Sequence, residues 1–362
     1  MKQAKALPLF LAAFVLSVTA SAQSFADKFT IESAETVLNI GERIERGEVI
    51  GEADWDSLFA TKGYSIYNMR DSQREKIKDA MILAFNPARR AEADSICQLR
   101  PKVDTPALVL CQNLCRLAKR TQEARHFLGS TDFARLLAKA DSIVQNFIPR
   151  RATKGTVALN DLHLICFIPD ATVRDKAVLM DLNLALNMSE DEIVRLLAHE
   201  FFHNYRDAAY NIDSRDTFLK VFSHFQNEGM ADLIDKNEQP EKLYVAFGED
   251  YARLFLHELA DAPQTLLQID SLLTAYKAEG NANGGEYGPL VELFVFNGHP
   301  VGMYMARLIR EQGLLGKLIA QFDNPYRFAL IYNEAAKRKN RHGGHEYTLS
   351  QALLQHLKQC SQ

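Results

Sequence analysis

The feature that most constrains this 362-residue chain is the run His-Glu-Phe-Phe-His at residues 199–203. Residues four apart project from the same side of an α-helix, so the imidazoles of His199 and His203 can reach one metal ion. Glu200 follows His199, and its carboxylate can reach a water on that ion without binding the ion itself. The run therefore predicts a helix that supplies two ligands and a base to a zinc site.

The residues before this run favour a helix. Ser189 and Glu192 are three positions apart, as in the capping box that starts many helices. Apolar residues then recur at helical spacing and predict one buried stripe: Ile193, Leu196, Leu197 and Phe201. An ordinary amphipathic helix that carries two histidines by chance fits the same pattern, so the run alone leaves the zinc site open.

A second segment, residues 228–232, begins 25 positions after His203 and reads Glu-Gly-Met-Ala-Asp. Glu228 can supply a third metal ligand. Asp232 lies at i+4 from Glu228 on the same helix face, where it could hydrogen-bond the second ring nitrogen of His199 or His203. Gly229 would let this helix approach the histidine helix closely. The alternative is a solvated acidic helix face.

The two segments together resemble the gluzincin branch of the zincin metallopeptidases, the thermolysin-like arrangement. The resemblance implies that His199, His203 and Glu228 bind one catalytic zinc ion, that Glu200 is the general base and that Asp232 supports a histidine ligand. It also implies a zincin-like catalytic domain with a small sheet beside the metal helix. The chain is further similar to exported bacterial proteins described only as zinc-dependent peptidases. The resemblance covers these segments and not the whole chain.

The predicted site favours hydrolysis of peptide bonds. Zinc held by two imidazoles and a carboxylate keeps a net positive charge and a free position, which lowers the pKa of a bound water. Glu200 can then accept the proton of this zinc-activated water. A zinc hydrolase of a non-peptide amide or ester is one alternative. A catalytically inactive zincin-like binding module is another, although the retained Glu200 argues against it.

A residue that stabilises the oxyanion is not evident near the two segments. Candidates further along the chain are His299, Tyr304 and Tyr287. Residues 294–304 contain a Gly/Pro break followed by a helical pattern, which is a suitable place for a side chain that faces substrate at a helix N-terminus. A turn with a surface histidine and a core tyrosine explains this segment equally well.

The first 22 residues have the pattern of a secretory signal peptide. Lys2 and Lys5 precede an apolar stretch at residues 7–18, and Ala20-Ser21-Ala22 has the small residues of a cleavage site. This pattern predicts an exported protein, periplasmic or secreted, with no stable membrane span after cleavage. An uncleaved anchor is the alternative.

The remaining pattern predicts a predominantly α-helical α+β fold with a signal peptide (1–22), a helical N-terminal region (23–150) and a zincin-like catalytic domain (151–362). Apolar runs at residues 162–169 and 178–186 predict two strands, the second at a sheet edge. Proline at position 263 predicts a break between helices at 241–260 and 263–279.

The net charge of −4 argues against a nucleic-acid partner and leaves a peptide or protein substrate. The oligomeric state stays open.

Overall fold

The computed structural model describes residues 25–100, 105–152, 157–210, 217–236, 239–245, 247–278 and 288–361. The predicted signal peptide and Tyr287 lie outside these ranges. No helix in the described part of the chain is both long enough and apolar enough to cross a membrane.

The structure confirms a predominantly α-helical α+β fold with a small sheet. The strands are β1 (Phe29–Thr30), β2 (Asp161–Ile165), β3 (Ala171–Arg174) and β4 (Ala177–Asp181). The helices are α1 (Glu32–Glu45), α2 (Glu52–Ala60), α3 (Lys62–Tyr67), α4 (Asp71–Phe85), α5 (Arg90–Gln98), α6 (Pro106–Ala118), α7 (Thr121–Ser130), α8 (Phe133–Val144), α9 (Leu182–Leu186), α10 (Glu190–Ala209), α11 (Thr217–Asp235), α12 (Lys242–Val245), α13 (Glu249–Ala278), α14 (Gly288–Glu292), α15 (His299–Glu311), α16 (Leu315–Ala320), α17 (Pro325–Arg341) and α18 (Gln351–Cys360).

The chain divides into two compact units. One unit comprises residues up to 142 together with 160–197, and the other comprises residues 143–159 together with 198–362. The predicted domain boundary at residue 150 stays a prediction.

The four-stranded sheet belongs to the first unit and has the order β1-β2-β4-β3. The first three strands in this order are parallel, and β3 pairs antiparallel with β4. The predicted edge strand at 178–186 is therefore wrong in two respects. Its first half lies in β4, which has a partner on both sides and is buried at every residue, as expected of an interior strand. Its second half is α9, because the Asp181 side chain accepts a hydrogen bond from the Leu184 N–H and caps a helix there.

Other helix predictions are confirmed or corrected by local chemistry. The capping box before α10 is confirmed, since the Ser189 N–H donates to Glu192 Oε2 at 2.8 Å. The predicted break at Pro263 is wrong, because α13 runs through it. Helices α2 and α3 lie within the region 23–150 that the sequence patterns predicted to be helical.

Helices α11 and α15 of the second unit pack in contact at two glycines. A Cβ atom on Gly229 would lie within 3.0 Å of three backbone atoms of Gly302. A Cβ atom on Gly302 would lie 2.6 Å from the Phe225 carbonyl oxygen and 3.0 Å from the Gly229 nitrogen. Gly229 therefore allows close approach to the helix that begins at His299, whereas the sequence suggested an approach to the histidine helix.

We predict that Gly229→Ala lowers the free energy of unfolding by about 1–3 kcal/mol, because the new methyl group meets backbone that cannot rotate away. Chemical denaturation followed by circular dichroism measures this change. The matched control is Gly316→Ala in α16, where a Cβ atom meets nothing within 4 Å. The control is expected to be neutral or to stabilise by about 0.5–1 kcal/mol. Equal stability of the two variants would contradict the close-contact account.

Candidate metal centre

Helix α10 presents the two histidines of the 199–203 run on one side, as their spacing predicts. The ring centroids of His199 and His203 lie 4.8 Å apart, with the rings nearly perpendicular at 86°. His199 is buried and His203 is half-buried. Both side chains therefore lie in a partly desolvated region, where little bulk water would compete with the imidazoles for a metal ion.

Helix α11 brings Glu228 to the same point. Glu228 Oε2 lies 3.6 Å from His203 Nε2 and 4.0 Å from His199 Nε2. One donor atom from each of the three residues lies within 4.8 Å of the other two. Donor atoms around tetrahedral zinc are about 3.3 Å apart, since zinc–nitrogen and zinc–oxygen bonds are near 2.0–2.1 Å. Two imidazoles and a carboxylate at these separations fit a zinc ion with only small side-chain movements.

Glu200 is buried beside His199 and faces the charged groups of the centre. Burial raises the pKa of its carboxyl to about 7, against an opposing effect of His199. A carboxyl with a pKa close to neutrality can both take up and release a proton at ordinary pH, which is what a general base needs.

His299 is brought to the centre by the start of α15. Its Nδ1 lies 2.9 and 3.0 Å from the two carboxylate oxygens of Asp232, and its Nε2 lies 3.4 Å from Glu228 Oε2. Its ring stacks on that of His199 at a centroid distance of 5.9 Å. The structure therefore brings this predicted residue together with the three candidate ligands.

The turn before His299 has an unusual backbone that sets the direction of α15. Phe296, Asn297 and Gly298 follow one another with positive φ angles of 49°, 54° and 75°. The Asn297 carbonyl oxygen contacts Nε2 of His224 on α11. A Cβ atom on Gly298 would lie 3.0 Å from the His224 ring, so glycine relieves crowding here and also tolerates the positive φ angle.

Tyr304 is not brought to the centre. Its hydroxyl donates to Glu346 Oε2 at 2.5 Å and lies 3.3 Å from the Tyr332 hydroxyl. Five residues along a helix correspond to a rotation of about 140°, so Tyr304 and His299 project from different sides of α15. The sequence pattern located the helix but did not separate these two candidates.

Asp235 and Lys236 are the functional candidates that the sequence reading missed. Asp235 Oδ1 lies 3.0 Å from His199 Nδ1, whereas Asp232 Oδ1 is 3.7 Å from the same nitrogen. The structure thus places Asp235 behind His199, and Asp232 behind His299. Positions 228, 232, 235 and 236 are spaced i, i+4, i+7 and i+8, so a helical stripe continued past Asp232 would have included both residues.

These contacts fix which nitrogen of His199 can bind a metal. A carboxylate only accepts hydrogen bonds, so Nδ1 of His199 carries the proton that it donates to Asp235. Nε2, the atom nearer Glu228, is then the nitrogen that can bind a metal. Burial opposes charge on His199, but Asp235 offsets it, and the pKa of the metal-free imidazole rises to about 9.

The remaining charges of the centre balance one another. Burial alone would raise the pKa of Glu228, yet the surrounding histidines, His203 first, lower it below its usual value. Burial lowers the pKa of His203, which favours the neutral ring that a metal requires.

A second compact group, His199 with Asp232 and Asp235, also has three donor atoms within 4.8 Å of one another. The Lys236 ammonium lies 2.9 Å from both of its carboxylates and supplies a positive charge there.

Neither the curated proteins nor the solved structures include a match to this chain. A family model described as "Putative zinc dependent peptidase (DUF5700)" matches residues 55–341, which include every residue of the centre. Because this match covers most of the chain, the protein belongs to that family of zinc-dependent peptidases.

Proposed function

We propose that this protein is a zinc metallopeptidase of the HExxH…E gluzincin type. The observation that carries the proposal is the convergence of His199, His203 and Glu228 from α10 and α11, with Glu200 buried beside them. Family membership supports a zinc-dependent peptidase in general terms. The ligand set and the roles of individual residues are our inference from the geometry.

Glu200 is the proposed general base. When bound, a zinc ion supplies the Lewis-acid chemistry that activates a water and polarises a carbonyl. The Glu200 carboxylate takes the proton from the attacking water and passes it to the leaving amine. Its pKa of about 7 in the metal-free chain suits a group that must do both.

His299 is the proposed donor to the oxyanion. Asp232 accepts the hydrogen bond from Nδ1, which orients the ring. When the ring is protonated on both nitrogens, Nε2, which lies 3.4 Å from Glu228 Oε2, can donate a hydrogen bond to the negative charge that develops on the carbonyl oxygen. His299 is also the first residue of α15, where the positive end of the helix dipole favours negative charge. Tyr304 has no part in this proposal.

The alternatives use the same residues differently. A zinc hydrolase of a non-peptide amide or ester would need the same base and oxyanion donor. A catalytically inactive binding module would not need Glu200.

We place the peptidase outside the cytoplasm, on the strength of the signal-peptide pattern in residues 1–22. Its substrates would then be peptides or proteins of the periplasm or the medium.

We predict about one zinc ion per chain in the purified protein and a large loss of zinc in His203→Ala and in Glu228→Ala, because each variant removes one of three protein ligands. Elemental mass spectrometry measures the zinc content. The control is His342→Ala, which changes an exposed histidine outside the centre. Wild-type zinc content in the Glu228→Ala chain would mean that the third ligand lies elsewhere.

We predict that Glu200→Gln keeps zinc but lowers the turnover of a mixed peptide library by ~10²–10⁴-fold, since the amide cannot accept the proton of the attacking water. Mass spectrometry of the cleavage products gives the rate. Glu311→Gln, an exposed position on α15, is the matched control and should keep wild-type turnover. Undiminished cleavage by the Glu200→Gln chain would rule out the proposed base. An intact zinc site that cleaves no peptide in the wild type would favour the alternative substrates.

We predict that zinc binding to the metal-free chain at pH 7.5 releases about one proton from His199, whose pKa is about 9 and whose Nε2 must be free to bind the ion. His199 is protonated below that pH, so zinc affinity falls as the pH is lowered. Calorimetry in buffers of different ionisation enthalpy counts the released protons. Asp235→Asn removes the carboxylate that raises the pKa of His199 and should release fewer protons at pH 7.5. Equal release by the two chains would contradict this account.

A further inference from the structure

Lys236 is a buried lysine at the end of α11 that the proposed chemistry does not use. Its side chain is only 5% exposed, and its Nζ lies 2.9 Å from Asp232 Oδ1 and 2.9 Å from Asp235 Oδ2. A buried ammonium is costly unless it is paired, and here it has two carboxylate partners. Such an arrangement needs an explanation beyond surface charge.

The end of the helix holds Lys236 firmly. Its backbone N–H donates to the Asp232 carbonyl oxygen at 2.9 Å, and Arg307 Nη2 donates to the Lys236 carbonyl oxygen at 2.9 Å. Arg307 lies on α15, two turns beyond His299. The lysine is thus anchored at both its backbone groups, and its side chain turns back along α11 to the position at i−4. A cation is also favoured at the C-terminal end of a helix.

The two carboxylates that Lys236 joins contact two different histidines. Asp235 uses Oδ1 for His199 Nδ1 and Oδ2 for the ammonium. Asp232 contacts His299 Nδ1 with both oxygens and the ammonium with Oδ1. The ammonium therefore forms the shared link between the support of a metal ligand and the support of the proposed oxyanion donor.

The charges of the two buried carboxylates explain why the ammonium lies between them. The side chains of Asp232 and Asp235 are 0% and 8% exposed, so bulk water solvates neither carboxylate well. Without Lys236 the two carboxylates, which have oxygens within 4.8 Å of each other, would repel, and only their hydrogen bonds to His199 and His299 would oppose that repulsion.

We propose that Lys236 is a positioning residue that keeps Asp235 on His199 and Asp232 on His299, so that one ligand and the oxyanion donor are oriented together. This inference rests on the proposed function. It predicts that loss of the ammonium weakens zinc binding through His199 and slows turnover through His299. Carboxylates behind metal-binding histidines typically change metal affinity by ~10–100-fold when they are lost.

The test compares Lys236→Met, which removes the charge at similar length, with Lys236→Arg, which keeps it. Zinc affinity is measured on metal-free chains by competition with a chelator, and kcat and KM are measured at saturating zinc. We expect Lys236→Met to bind zinc ~10–100-fold more weakly and to lower kcat more than it raises KM. Lys236→Arg should restore most of both quantities. Lys317→Met, which breaks an exposed pair with Glu334, is the matched control.

Wild-type zinc affinity and kcat in Lys236→Met would overturn the proposal. So would an equal loss in Lys236→Met and Lys236→Arg, because shape and not charge would then matter. If Lys236→Met does not fold, Lys236→Gln, which is uncharged but keeps an amide NH₂ group that can donate to the carboxylates, takes its place with the same expected direction. Failure of the wild-type chain to bind zinc or cleave peptide would instead count against the proposed function, so the two failures are distinguishable.

Discussion

The crossing of α11 and α15 at Gly229 and Gly302 is the contact on which the rest of the centre depends. A side chain at either position would meet backbone of the other helix. Because the helices approach this closely, both carboxylate oxygens of Asp232 on α11 lie within hydrogen-bond distance of Nδ1 of His299 on α15. The same approach brings Nε2 of His299 to 3.4 Å from Glu228. The absence of side chains at Gly229 and Gly302 therefore allows Asp232 and His299 to meet.

The centre places an unusual number of ionisable groups in a buried region, and their arrangement keeps the cost low. Each carboxylate of the helical stripe on α11 has at least two positive or hydrogen-bonding partners, some of them shared. Glu228 faces three imidazoles, Asp232 faces His299 and Lys236, and Asp235 faces His199 and Lys236. Burial penalises isolated charges but strengthens attraction between opposite ones, so such a network stabilises the fold only when it is complete.

Particular residues show how far the sequence could be read. Helical periodicity with spacings of three and four determines what faces what within α10 and α11, so the grouping of His199 with His203, and of Glu228 with Asp232, was predictable. The stripe also reaches Asp235 and Lys236, so the spacing along α11 alone predicts that both lie on the same face as Glu228 and Asp232. Strand order was harder, because β4 is buried at every residue and its sequence shows no clear alternation from which its place in a sheet could be inferred. Proline at 263 was misread, since packing of α13 overrides a local preference.

The sequence by itself determined that a helix carries two histidines and a glutamate in metal-binding order, that a second helix carries acidic residues on one face, and that a third helix starts at a Gly/Pro break near His299. These properties are local and follow from residues a few positions apart. Only the tertiary structure decided which carboxylate supports which histidine, that the Tyr304 hydroxyl bonds to Glu346 and that Lys236 joins the two supports. Such pairings join residues from separate helices, and they depend on a helix crossing whose distance is set by packing and not by sequence spacing.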